Sequence, residues 1–463
     1  MQIEIKVFSE EEKQLVHRRT MEILSETGVM IKSPIAFESL KQAGARTDEA
    51  RSIVYFTEEM VEKALKTAPG SFVLGGRNPQ YDFRLPALES RHLMSGITTN
   101  IYDPYTRQLR ESTKEDVFHV GRVFQHAETG TACWTGCSAG DVPEKTHCLH
   151  EMAAIIAGTS KHVQFELSSP YEAGFAAEIL EAVVGGGPQE VSRRNIASVL
   201  YCPVSPLTQD KNMLEAYLAL AEYQVPVNIY PMPMIGLTSP ASIFSTVCQI
   251  NAEVLSAVVL FQTVRPGWPV IYGVASGMVD PVTGEYVKSG EAALVSLGGT
   301  EMARYYGLPC AVTGGGSFET MPVYLGRADL IDGIGTTDNG MAVSLEMILT
   351  EDEIAKRCLR IAKGIRIGED TDLTEDIKAE GPGGAFLAHK SSVKNFRNPD
   401  EMYHSRMFPS KLRASTFEKR DSIEIANKKV REILEGPVED ALPPEIQQKI
   451  DRICARADAG LLE

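Results

Sequence analysis

Aromatic rings and a single carboxylate, not bases or metal clips, stand where this sequence can do chemistry. Trp134, Tyr230, Tyr272 and Phe318 each sit at or just past the end of a short apolar run, and Glu166 closes another. Aromatic ring faces carry negative quadrupole density and attract a cation by ~0.5–2 kcal/mol per contact. Four rings with one acid therefore predict a substrate-binding cage for a quaternary ammonium, with Glu166 supplying the compensating charge. The same aromatics also fit ordinary core packing, and the residues alone leave both readings open. No His or Lys stands at these run ends to act as an obvious general base or Schiff-base amine.

Other groups were weighed beside the cage. Cys133 and Cys137 bracket the end of one run, and His147, Cys148 and His150 open the next helical stretch. Thiolate and imidazole are zinc donors, but a four-residue cysteine spacing is not the usual tight clip, and the histidines fit a solvated helix face equally well. Gly314, Gly315 and Gly316 form the candidate cofactor-binding loop, because barrels often hold phosphate after strands seven and eight. The loop lacks GxGxxG or Walker spacing, and a backbone that must approach a ligand or a neighbour explains it too. Gly381-Pro382-Gly383-Gly384 reads as a turn that can deliver His389 to the same region.

The elements that must position these residues read as an α/β fold. Short β runs at 92–97, 131–136, 162–167, 196–201, 227–230, 270–273, 310–313 and 328–334 alternate with helical stretches. Eight such repeats predict a closed (β/α)8 TIM barrel over 91–345, with an N-terminal helical cap over 1–90 and a C-terminal helical extension over 346–463. One interval is short. Residues 314–327, with Pro322 and Gly326, leave room for only a loop or a stunted turn of helix, because a parallel crossover needs a dozen residues or more. The amphipathic stretches at 423–435 and 444–457 call for an apolar partner surface, which predicts a homo-oligomer.

Composition narrows the function. The chain has 463 residues, 43% hydrophobic and 23% charged, which excludes a disordered, collagen-like or coiled-coil polypeptide. Its net charge of −16 disfavours nucleic acid or an anionic membrane surface as a partner. No uninterrupted apolar run approaches the ~20 residues of a membrane helix. The charged N-terminal stretch lacks the apolar core of a secretory signal. Eight scattered cysteines predict reduced thiols and a cytoplasmic location.

The order of several short motifs resembles the trimethylamine methyltransferase family, specifically its members without pyrrolysine. The matching pieces are Ser205-Pro206-Leu207, then Asn251-Ala252-Glu253, then Gln262-Thr263-Val264-Arg265-Pro266-Gly267. Gly326-Arg327-Ala328-Asp329-Leu330-Ile331, Ser344-Leu345-Glu346 and Gly381-Pro382-Gly383-Gly384 follow. The resemblance implies a TIM barrel that moves a methyl group from a methylated amine to the cobalt of a corrinoid (cobalamin) carried on a separate corrinoid protein. The sequence holds no pyrrolysine, and Gly and Ser occupy 314–317, which points to quaternary amines such as glycine betaine instead of trimethylamine. Phe318–Leu325 stands where the family carries a longer segment before the eighth strand. Two alternatives remain: a barrel that only binds a betaine, and a zinc-dependent methyltransferase or hydrolase using Cys133, Cys137 and His147 or His150.

Overall fold

Eight apolar runs form one closed parallel barrel: β1 Arg91–Met94, β2 Gly130–Trp134, β3 His162–Phe165, β4 Ala197–Tyr201, β5 Val227–Ile229, β6 Val270–Val274, β7 Cys310–Thr313 and β8 Leu330–Ile334. This computed structural model describes residues 3–287, 289–314, 320–405, 407–408 and 421–461. The strands pair in sequence order, and β8 closes the ring on β1, with Ile331 opposite His92. Parallel strands covered on both faces are apolar throughout, which is why each run is so readable.

The outer ring is α1 Lys114–Gln125, α2 His147–Gly158, α3 Pro170–Val184, α4 Asn212–Leu218, α5 Ile243–Val264, α6 Gly290–Tyr305, α7 Thr320–Leu325 and α8 Leu345–Ala362. Local chemistry sets their ends. Thr113 and Asp116 form a reciprocal capping box at α1, and Ser242 caps α5, which stops before Pro266-Gly267. As the short interval predicts, α7 is a stunted crossover. The last barrel helix runs to Ala362, past the expected break at 345.

Helix α5 is, among the described residues, long and apolar enough to cross a membrane, yet it is a core helix. It lies between the barrel and the N-terminal region, with its polar residues bonded inward. Asn251 donates to Thr20 Oγ1 and Tyr306 Oη, both at 2.9 Å. Glu253 accepts from Ser205 Oγ at 2.8 Å and Leu207 N at 2.9 Å, tying the Ser205-Pro206-Leu207 segment to this helix.

The N-terminal region is not purely helical. Val29–Ile31, Arg46–Asp48 and Ile53–Tyr55 build a sheet with Thr208–Gln209 from the loop after β4, and Phe72–Leu74 pairs with Phe83–Leu85. Arg46–Asp48 and Ile53–Tyr55 form a short hairpin, and only Val29–Ile31 reaches a partner far along the chain; runs of three residues are too short to leave a periodic pattern. The first residues reach further still: Ile3 N donates to Ala362 O and Ile5 N to Leu325 O.

The C-terminal helices Ser422–Glu435 and Pro444–Ala459 pack on their own barrel, the first against α8 and α1, the second against α3 and α2. Val430, Ile433, Ile450 and Ile453 are buried there, each contributing ~1.5–3 kcal/mol. Arg122 on α1 donates to Leu434 O and Gly436 O at 2.8 Å, holding the first helix's C-terminus. These faces need no second copy, so the reason for expecting a homo-oligomer is gone.

Candidate active site

Side chains that reach across the barrel identify its interior. Asn228 on β5 donates to Gln164 Oε1 on β3 at 3.2 Å. One step of the pleat further up, Tyr230 donates to Asp332 Oδ2 on β8 at 3.0 Å and lies 2.9 Å from Thr313 Oγ1 on β7. Tyr230 and Asp332 are both buried, so three strands are tied together at the C-terminal end, where barrel strands present their reactive groups.

Above this knot opens a cavity of ≈ 270 Å³, lined by Trp134, Tyr230, Tyr286, Asp332, Met232 and Met234 with the backbone of neighbouring loops. Two small sheets built from those loops flank it. One joins Met234–Ile235, Gly277–Val279 and Tyr286–Val287; the other joins Thr336–Thr337, Ala342–Ser344, Asn100–Tyr102 and Leu109–Glu111. Each ring rests on a glycine. A Cβ would lie 2.3 Å from the Trp134 ring at Gly96, 2.5 Å from Tyr230 at Gly273, and 2.0 Å from Tyr286 at Gly277. Any larger residue there would displace an aromatic wall.

The described lining residues include one carboxylate, Asp332, and no Lys, Arg or His. The Trp134 indole N–H is buried without an acceptor among the described residues. Such a chamber desolvates a cation and matches it with π faces and one negative charge.

The expected cage residues divide. Trp134 and Tyr230 line the cavity. Glu166 follows β3 at the same end, half-buried, outside the cavity lining; burial first and Glu151 next push its carboxyl up to about 8. Cys202, after β4, is raised well above the usual thiol range by burial and then by Glu166, Asp210 and Asp332, so it neighbours both acids of the mouth. Tyr272 is a correction. Its ring is fully buried and its hydroxyl donates to Asn251 Oδ1 on α5 at 2.9 Å, so it faces the helical layer, while the next residue, Gly273, faces Tyr230.

Phe318, Gly315 and Gly316 lie outside the described residues. Gly314 donates to Asp332 O at 3.0 Å, and a Cβ on it would meet Val323 and Ile331. A close neighbour accounts for this glycine. His389 has local partners: Nδ1 lies 2.7 Å from Ser391 Oγ and 3.5 Å from Asp376, with Phe386 against the ring. It is not among the residues lining the cavity.

The expected zinc set does not assemble. Cys133 neighbours Lys161, and His150 is held between Lys114 at 3.0 Å and Asp458 at 3.1 Å. The ligand atoms that converge instead belong to His147, Cys148 and Glu151.

Two site residues, Asp332 and Tyr286, escaped the reading from sequence. A carboxylate within the apolar run Leu330-Ile331-Asp332-Gly333-Ile334 was the available signal for the first. Tyr286 sits in a hairpin of two and three residues per strand, too short to leave a pattern.

Comparison with known proteins adds a second line of evidence. The family model described as trimethylamine methyltransferase (MTTB) matches residues 2–461. Trimethylamine methyltransferase MttB2 of Methanosarcina mazei is 29% identical, covering 100% of this chain and 97% of that protein. A glycine betaine methyltransferase of Desulfitobacterium hafniense is 28% identical, covering 97% and 96%. Among solved structures, the hydroxylamine complex of MtmB aligns over 93% of this chain and 95% of that one, at 14% identity and a TM-score of 0.48.

Proposed function

Because the chain belongs to the trimethylamine methyltransferase family, we propose that it moves a methyl group from a quaternary amine of the glycine betaine type to the cobalt(I) of a corrinoid on a separate protein. The observation that carries this reading is the chamber of Trp134, Tyr230 and Tyr286 with Asp332 as its lining carboxylate. A quaternary nitrogen already bears its charge and departs as a neutral tertiary amine, so the reaction asks for no general acid. The residues' task is to strip water from the cation, hold it by ring faces and one carboxylate, and aim one methyl at the opening. The Tyr230 hydroxyl and Thr313 keep Asp332 in place. The unpaired Trp134 N–H offers a donor to a substrate carboxylate, which suits a betaine better than a simple tetraalkyl cation. The unpaired cysteines fit a reducing, cytoplasmic setting.

The test mixes the protein with glycine betaine and reduced corrinoid and follows the cobalt(I) absorbance. We expect a loss of that absorbance that requires both enzyme and betaine. Asp332→Asn should lower kcat/KM by about 10- to 100-fold, ~1.4–2.7 kcal/mol, while the melting temperature holds. Betaine binding by calorimetry with no change in cobalt(I) absorbance would make the chain a binding protein instead.

A further inference from the structure

A second cluster of ligand-bearing side chains lies at the same end of the barrel, and the proposed reaction does not use it. In the first turns of α2, His147, Cys148 and Glu151 bring an imidazole nitrogen, a sulfur and a carboxylate oxygen within 4.8 Å of one another. His147 Nδ1 is 3.0 Å from Glu151 Oε1, and the Cys148 sulfur is 3.6 Å from His147 Nε2. Glu172 on α3 lies near them, outside that converging set. Its Oε2 accepts from Ser168 N at 2.8 Å, and the same backbone segment approaches the Cys148 sulfur. Its other oxygen, Oε1, is buried without a hydrogen-bond partner among the described residues, and its charge reaches both His147 and Cys148.

An ordinary ion pair one helical turn apart accounts for His147 with Glu151. It leaves unexplained a buried thiol in the field of the fully buried Glu172 carboxylate, whose second oxygen has no hydrogen-bond partner among the described residues. A dication beside it supplies the compensating charge. One thiolate, one imidazole and one carboxylate are donor types that zinc takes, with a solvent molecule in the fourth position of a four-coordinate site.

We propose that His147, Cys148 and Glu151 form a site for a divalent transition metal of the zinc type, at the rim of the barrel between the β2–α2 and β3–α3 loops, with the Glu172 carboxylate adding negative charge beside it. The ion enters from the side of His147, the half-exposed member. On binding, the thiol gives its proton to solvent and the sulfur coordinates as thiolate. The Ala139 N–H, 3.0 Å from Glu151 Oε1, orients that carboxylate from behind. Glu166 neighbours both His147 and the mouth residue Cys202, so a charge here is felt at the edge of the cavity.

Cobalt(II) is the probe, added to the full-length protein after treatment with a chelator. We expect one equivalent per chain, with the strong visible bands of four-coordinate cobalt and a near-ultraviolet sulfur-to-cobalt charge-transfer band. Cys148→Ser should abolish the charge-transfer band. Glu172→Gln and His147→Gln should each weaken cobalt binding about tenfold or more, with unchanged circular dichroism. Failure of the wild-type protein to take up stoichiometric cobalt, or a charge-transfer band that survives Cys148→Ser, overturns the proposal.

Discussion

The two ends of the barrel use polar residues in opposite ways. At the N-terminal end, several buried polar groups are spent on neighbouring elements, mostly on their backbone. His162 Nδ1 faces the carbonyls of Gly75 at 3.1 Å and Asn195 at 3.0 Å, and its Nε2 lies 2.9 Å from Ser198 Oγ. Lys161 donates to the carbonyls of Phe124, Ala127 and Gly130, closing the end of α1, and burial pushes its ammonium down to about 8. Asp329 accepts from Ala87 N and Cys310 N. At the mouth, Tyr230, Thr313 and Asp332 bond to one another, and the Trp134 N–H has no acceptor among the described residues. The lower end is largely matched within itself, although neither ring nitrogen of His92 has a partner among the described residues. The upper end keeps the Trp134 N–H for a ligand, which is what a binding site needs.

The largest effect that probes this contrast is acid sensitivity of the lower end. Burial holds His92 and His162 down to about 4. The unfolded chain protonates them near 6.5 and the folded chain does not. Stability is therefore full above pH 6.5 and falls as pH drops towards 4, by up to about 3 kcal/mol for each group. Urea unfolding at pH 7 and pH 4.5 measures this, and His162→Gln should flatten the slope. An unchanged slope in that variant would break the assignment of His162 to the lock. At the mouth, Tyr286→Ala should weaken betaine binding by ~1–2 kcal/mol, roughly tenfold, and leave unfolding alone. Calorimetry on the folded variant checks it; unaltered affinity would remove Tyr286 from the cage. The smallest change separates the layers of a single strand. Tyr272→Phe loses one buried hydrogen bond to Asn251 and should cost ~1 kcal/mol of stability with no change in affinity.

Tyr272 also shows where the sequence stops being informative. All eight strands were legible because a parallel strand in a barrel is buried on both faces and stands out as an apolar run. The same double burial erases the alternation that would tell an inward residue from an outward one. Tyr272 and Tyr230 look equivalent in the sequence, and only closure of the ring sends the first to α5 and the second to Asp332. Trp134 and Tyr230 could be named because they end their runs. Asp332 lies inside its apolar run, not at its end, so position in the run does not mark it. The hairpin carrying Tyr286 and the sheet of the N-terminal region have strands of two to three residues, too short to show a period of their own.

The attachment of Ile3 and Ile5 to Ala362 and Leu325 has a consequence in time. A ribosome adds ~5–20 residues per second, so the first residues leave the exit tunnel on the order of tens of seconds before the carbonyls they bond to exist. Phe8, which packs on Gly298, waits nearly as long. The opening segment is thus among the last pieces to be seated, a latch thrown after the ring has closed. Until then its apolar residues are unguarded, and a nascent chain stalled before residue 325 would present them to chaperones.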